Sequence, residues 1–201
     1  MKRVSVVCVC ALLWLPVLSS RANPIRDTEG APNRNQVMEI DFCENFKQII
    51  EAAKAGFNAV RGEQTTKKIS GADRPYQFCT VELSATYKGY IGMSETHPSY
   101  EVFFETETLP KITDKLKKSY EEVVANIKAC LPETEWTIVE KDASNDIYLE
   151  GTDFKKLQVM QKEVDENGNR IVMEVNMYRH GTENKRVVEL KIEGIGVPKG
   201  E

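Results

Sequence analysis

Two stretches of this chain carry an apolar stripe at helical spacing, and each is followed by segments that alternate with period two. In Asp41 to Arg61 the stripe is Phe42, Phe46, Ile49, Ala53, Phe57 and Val60. In Leu109 to Leu131 it is Ile112, Leu116, Tyr120, Val123, Ile127 and Leu131. The alternation of strands and helices through glycine-rich crossovers that a doubly wound parallel sheet requires is missing. The expected fold is α+β: an antiparallel sheet with both helices packed on one face, in the order α-β-β-(β)-α-β-β-β-β-(β). Helix plus strands, twice over, is compatible with a rough internal repeat, although no residue-level repeat supports it.

Local signals place the elements. Asp41 and Glu44 have capping-box spacing, and Gly62 is a natural stop for the first helix. Glu63 to Tyr76 is polar, carries Gly71 and Pro75, and reads as a loop. Phe78 to Ala85 alternates, with Cys79, Val81, Leu83 and Ala85 on one face. Tyr87 to Met93 continues that strand or pairs with it, and Ser99 to Thr106 is a further strand. Pro110 suits the first turn of the second helix, and Pro132 ends it. Five segments then alternate: Glu135 to Lys141, Asp146 to Gly151, Lys156 to Asp165, Arg170 to Arg179 and Arg186 to Gly194. Asn167-Gly168 predicts a two-residue type I′ hairpin, which sets Val164 against Ile171, Met160 against Val175 and Asp165 against Arg170.

Ahead of this domain, Lys2 and Arg3 precede a charge-free apolar run, Val4 to Leu18, and Ser20-Arg21-Ala22 has the small residues of a cleavage site. Residues 1–22 are thus expected to be a secretory signal peptide, 23–37 a flexible lead-in, and 38–196 a single α+β domain. The apolar run is short of the roughly 20 residues of a membrane span, so stable membrane insertion is not expected. The whole chain carries a net charge of −4, and loss of Lys2, Arg3 and Arg21 makes it −7. Such an acidic product repels phosphate backbones, which argues against nucleic acid as a partner. No Asn-x-Ser/Thr sequon occurs, which favours a bacterial exporter, with the product periplasmic or secreted.

Cys8 and Cys10 leave with the signal segment, so Cys43, Cys79 and Cys130 remain, and an oxidising compartment implies one disulfide and one thiol. Geometry selects the pair. An even number of strands between the helices, two being simplest, makes them antiparallel and brings the start of the first beside the end of the second. Cys43 lies at that start and Cys130 at that end. Three intervening strands would make the helices parallel and break the argument.

Chemistry-bearing motifs are sparse. His97 and His180 sit in polar turns with no metal-ligand spacing, and are expected to be exposed turn residues. Cys79 falls on the apolar face of a strand, where a free cysteine acts as a small hydrophobe. No G-x-S-x-G elbow, P-loop or G-x-G-x-x-G is present, and Gly194-Ile195-Gly196 has no helix after it. Glu121-Glu122 and Glu105/Glu107 read as solvated carboxylates. Lys111, Lys115, Lys117, Lys118 and Lys128 read as a solvated helix face interleaved with acids. Tyr87, Tyr90, Tyr100 and Phe103 cluster around the first hairpin. Phe103 alternates away from Tyr100, Val102 and Phe104, so this strand carries bulk on both faces. Either both faces are covered or one aromatic patch is open for binding. No catalytic, cofactor or metal residues are assigned.

Phe42-Cys43-Glu44, Gly56-Phe57 through Val60-Arg61-Gly62, Phe78-Cys79-Thr80-Val81 and Ile127-Lys128-Ala129-Cys130-Leu131-Pro132 together resemble a loose group of small exported bacterial αβ domains of unknown function. Their layout is similar to type III secretion chaperone-like folds, and the resemblance covers about residues 41–132. This chain lacks the further cysteine such domains often carry on the strand after the Cys79 equivalent. The group implies binding rather than chemistry. The expected function is an exported, non-enzymatic protein that holds a protein or peptide partner, inhibitor-like or immunity-like. The alternative is an envelope hydrolase whose site forms only in three dimensions.

Overall fold

The computed structural model describes residues 41–69, 72–92, 94, 96–108, 111–142, 154–180 and 185–196. The expected signal peptide, the lead-in, the strand at Asp146 to Gly151, Pro110 and the C-terminal residues 197–201 lie outside them.

The first helix, α1 (Phe42–Ala53), opens as its sequence predicts, with the Asp41 carboxylate accepting from the Glu44 N–H at 3.0 Å. It buries Phe46, Ile49, Ile50, Ala52 and Ala53. It stops well before Arg61 because Gly56 and Phe57 both take left-handed backbone (φ 63° and 64°), with the Phe57 N–H bonded to the Ala52 carbonyl at 2.7 Å. A left-handed phenylalanine is costly. Here it is held because the ring is fully buried and Arg61 donates to the Gly56 carbonyl at 2.9 Å. The stop is therefore Gly56, not Gly62, and a short 3-10 turn (Asn58–Val60) follows.

The stretch read as a loop is a strand hairpin, β1 (Arg61–Ile69) and β2 (Ala72–Cys79), paired from Arg61↔Cys79 to Ile69↔Ala72. Polar Arg-Gly-Glu-Gln-Thr-Thr-Lys-Lys hides it, since an edge strand need not alternate. Pro75 is tolerated because β2 pairs onward only through Tyr76, Gln77 and Phe78. The expected alternation holds as burial from Cys79 through Val81 to Leu83, but Ala85 is exposed and the segment past Cys79 is not a strand. β2 ends at Cys79, while Leu83 still buries from an irregular segment. The next strand, β3 (Tyr90–Gly92), is short, and β4 (Ser99–Glu107) follows as expected with a bulge between Phe103 and Glu105. Between Cys79 and β3, Gly89 has no room for a side chain: a Cβ there would lie 2.6 Å from the Tyr100 hydroxyl.

The second helix, α2 (Asp114–Cys130), begins later than Leu109. Thr113 caps it, accepting from the Leu116 N–H at 3.2 Å. Then come β5 (Trp136–Asp142), β6 (Lys155–Gln161), β7 (Val172–His180) and β8 (Lys185–Glu193). The turn at Asn167-Gly168 is not type I′. Gly168 has φ +78°, but Asn167 does not take positive φ. The Asp165 carboxylate instead accepts from the Asn167 and Asn169 N–H groups at 2.9 and 2.7 Å, and the Gly168 N–H bonds the Asp165 carbonyl. The result is a type I turn closed by a left-handed glycine. The register moves accordingly. Met160 faces Val172 and Leu157 faces Val175, Asp165 serves the turn rather than Arg170, and Val164 is 49 % exposed. An odd shift in register exchanges the faces, so Leu157 and Val159 turn to the core in place of Met160 and Val164.

All eight strands form one antiparallel sheet ordered β1-β2-β3-β4-β8-β7-β6-β5. Among the described residues each helix is followed by a four-strand meander, and the two meanders join where their last strands, β4 and β8, pair. The layout therefore repeats, with four strands between the helices rather than two or three. Both helices pack on one face over a single core that includes Ile49, Phe57, Tyr100, Val102, Leu116, Ile127, Leu157, Met173, Val175, Leu190 and Ile192. Four being even, the start of α1 meets the end of α2. Cys43 and Cys130 form a disulfide there, with Cα atoms 5.2 Å apart. Among the described residues no helix is long and apolar enough to cross a membrane.

Candidate functional site

The helices cover one face of the sheet, and the other face carries an ordered set of charged and aromatic side chains. Alternation assigns them. On β4, Tyr100 and Val102 enter the core, so Glu101 and Phe103 point the other way. On β8, Leu190 and Ile192 enter it, so Glu189 and Lys191 do not. Strand pairing lines these positions into rows. Glu101 faces Lys191, which faces Glu174, which faces Gln158. Phe103 faces Glu189, which faces Asn176, which faces Lys156. Within the first row Gln158 donates to Glu174 at 3.3 Å, and Lys156–Glu174 at 2.8 Å ties the two rows together.

The β1–β2 hairpin reaches into the middle of this face. In a flat sheet β1 would lie about 14 Å from β4, three strand spacings away. Yet Lys67 on β1 places its ammonium 2.5 Å from a Glu101 oxygen on β4. That ammonium also lies 5.4 Å from the ring centres of Tyr76 and Tyr90 and 4.9 Å from that of Phe103, within cation–π range. The hairpin therefore leans over the helix-free face. Beside this cage, Glu189 is 9 % exposed and accepts a hydrogen bond from the Tyr178 hydroxyl at 2.7 Å. Burial pushes the Glu189 carboxyl above the usual range, and the Tyr178 bond opposes this only in part. Burial likewise raises the Tyr178 hydroxyl, with the Glu189 charge adding to it. Burial opposes the charge of Lys191, but the Glu193, Glu101 and Glu174 carboxylates outweigh it and push its pKa up.

Other candidates are dispersed. His97 is exposed in the turn before β4, as expected. His180 is not a turn residue: it ends β7, half-buried, with its ring edge-on to Phe103 at 5.8 Å. The two histidines lie at opposite ends of the central strands, since Ser99 pairs with Glu193 and His180 with Lys185. Cys79 is a free, buried thiol, and burial raises its pKa, which suits a hydrophobe and not a nucleophile. The helix lysines are in part matched to acids: Lys115 with Glu105 at 2.8 Å, Lys118 with Glu122 at 3.6 Å, and Lys128 with Glu140. Glu107 accepts from the Thr113 hydroxyl, which fixes the start of α2. Gly194 packs against Phe57 and the Ala53 carbonyl, a structural use. Among the described residues, no group of three or more His, Cys, Asp or Glu is arranged to hold a metal.

Of the four aromatics singled out by sequence, Tyr100 is core, Tyr87 is half-buried in the loop before β3, and Tyr90 and Phe103 meet in the cage. Sequence reasoning missed Lys67 and Tyr76, which fell in the supposed loop. It also missed Tyr178 and Glu189, which lie in alternating segments with no motif to single them out. No protein-family model, curated protein or solved structure matches this chain.

Proposed function

We propose that the chain is an exported, non-enzymatic binding protein whose helix-free sheet face holds a protein or peptide partner. The observation that carries this reading is the ordered face itself. One side of the sheet is spent on the core, while the other presents Phe103, Tyr90, Glu101, Glu174, Lys156 and Lys191 in register. Rows of aromatic and charged groups on paired strands suit recognition, with the aromatics on β3 and β4 and the charges running on over β8, β7 and β6. Export is supported by the Cys43–Cys130 disulfide, which belongs to an oxidising compartment. The resemblance to exported bacterial αβ domains agrees with it.

Two experiments test this. Amino-terminal sequencing of the exported protein should begin at Asn23; a membrane-retained full-length chain contradicts export. Gel filtration of the native exported fraction should find the protein in a complex. Reversing the sheet-face charges with Lys156→Glu and Lys191→Glu should release it, whereas Lys117→Glu with Lys118→Glu on α2 should not. A protein that runs alone, or a complex lost only with the helix variant, overturns the reading.

A further inference from the structure

The cage around Lys67 has the form of a receptor for a primary ammonium group. Three rings, from Tyr76, Tyr90 and Phe103, surround the nitrogen, and a carboxylate, Glu101, accepts its hydrogen bond. A second carboxylate, Glu189, lies close enough to feel the Lys67 charge. Lys67 and Glu101 keep only 18 % and 15 % of their side-chain exposure. Four partners converging on one ammonium exceed what an edge strand needs to stay paired.

The group that fills the cage arrives on the least anchored part of the sheet. Beyond Tyr76 the β1–β2 hairpin pairs only with itself, because β2 bonds β3 through Tyr76–Phe78 alone. Ala72, Asp73, Arg74 and Pro75 are all exposed, as are Gln64, Thr66 and Lys68 on the facing strand. Tyr90, Phe103 and Glu101, by contrast, stand on β3 and β4, inside the sheet. Three walls of the cage thus stand inside the sheet, and its occupant is carried on a ribbon that pairs only with itself.

We propose that this cage is a binding site for a primary ammonium group on an alkyl chain, and that Lys67 occupies it as a displaceable stand-in. The inference deepens the binding reading above: it names the chemistry that the helix-free face takes. The ammonium belongs to a free aliphatic amine or to a lysine side chain of a bound peptide. In either case the incoming nitrogen replaces that of Lys67 between the rings and against Glu101, and the hairpin lifts.

The test uses the full disulfide-bonded protein. Lys67→Ala empties the cage, and n-butylammonium is then expected to raise the melting temperature saturably while n-butanol does not. Adding Glu101→Gln should weaken that response about tenfold. Wild-type protein should bind the same probe more weakly, because tethered Lys67 competes at an effective concentration on the order of millimolar. A folded Lys67→Ala that ignores n-butylammonium, or answers n-butanol equally, overturns the proposal. If Lys67→Ala does not fold, wild-type protein titrated with n-butylammonium decides. Saturable shifts of the Tyr90 and Phe103 ring protons support the site, and unmoved rings refute it. A parallel titration with Nα-acetyl-lysine methylamide separates the sources: tighter binding than n-butylammonium assigns a peptide lysine, and weaker or equal binding a free amine. Failure of both amine probes removes the ammonium site but keeps the protein-binding reading. Amine binding without any complex does the reverse.

Discussion

Glu189 is a carboxylate placed where its charge is poorly tolerated. It sits between Phe103 and Asn176, buried, and accepts a hydrogen bond from the Tyr178 hydroxyl. Its folded-state pKa lies above the unfolded value, so the stability tied to its proton is complete below the ordinary carboxyl range and is lost as pH rises through the folded pKa. Glu189→Gln keeps the shape and an acceptor for Tyr178, and its amide adds a donor opposite Asn176, whose side-chain oxygen has no partner among the described residues. The variant should be more stable than wild type by about 1 kcal/mol at neutral pH. The gain should vanish in acid, as read from urea melts across pH. A variant that is less stable at neutral pH would mean that the charged form is the favoured one. On the other face, Gly89→Ala would drive a methyl group against the Tyr100 ring, which is fully buried and cannot retreat. A loss of about 2 kcal/mol or more is expected in the same melts.

At the scale of elements, the β6–β7 connection shows how a turn sets a register. Gly168 has nothing within 4 Å of a built Cβ, so a substitution there meets only the strain of its positive φ. Gly168→Val should cost about 1–2 kcal/mol, measured by chemical denaturation, and leave the fold intact. An unchanged midpoint would contradict the left-handed assignment. The same hairpin marks what is legible in sequence. Asn-Gly announces a turn, but Asp165, three residues before Gly168, captures the backbone N–H groups and makes a different one. Helix stripes were readable because the core demands them every three or four residues. The start of α1 at Asp41 and the end of α2 before Pro132 were readable as well, whereas the other two ends were not: left-handed Gly56-Phe57 stops α1 short of Gly62, and Thr113 caps α2 beyond Leu109. The β1–β2 hairpin was invisible because polar edge strands leave no burial pattern. Half of the candidate site follows from that: Tyr90 and Phe103 stood out, whereas Lys67 and Tyr76 did not.

At the scale of the molecule, two helix-plus-four-strand halves are joined in two ways, by β4–β8 pairing within the sheet and by the Cys43–Cys130 bond between the helices. The bond spans 87 residues, and closing a loop of that length in the unfolded chain is worth about 4 kcal/mol. Cys130→Ser should therefore lower stability well beyond Cys79→Ala, which removes a single buried sulfur at about 1 kcal/mol. Equal losses would mean that the bond does not constrain the unfolded chain. With one face closed by the helices and their disulfide, the proposed function puts the partner on the opposite face. Lysine acylation of the protein, alone and in its native complex, tests this most directly. Lys156 and Lys191 on the sheet face should become protected in the complex, while Lys117 and Lys118 on α2 react as before. Protection of the α2 lysines, with Lys156 and Lys191 unchanged, would contradict it.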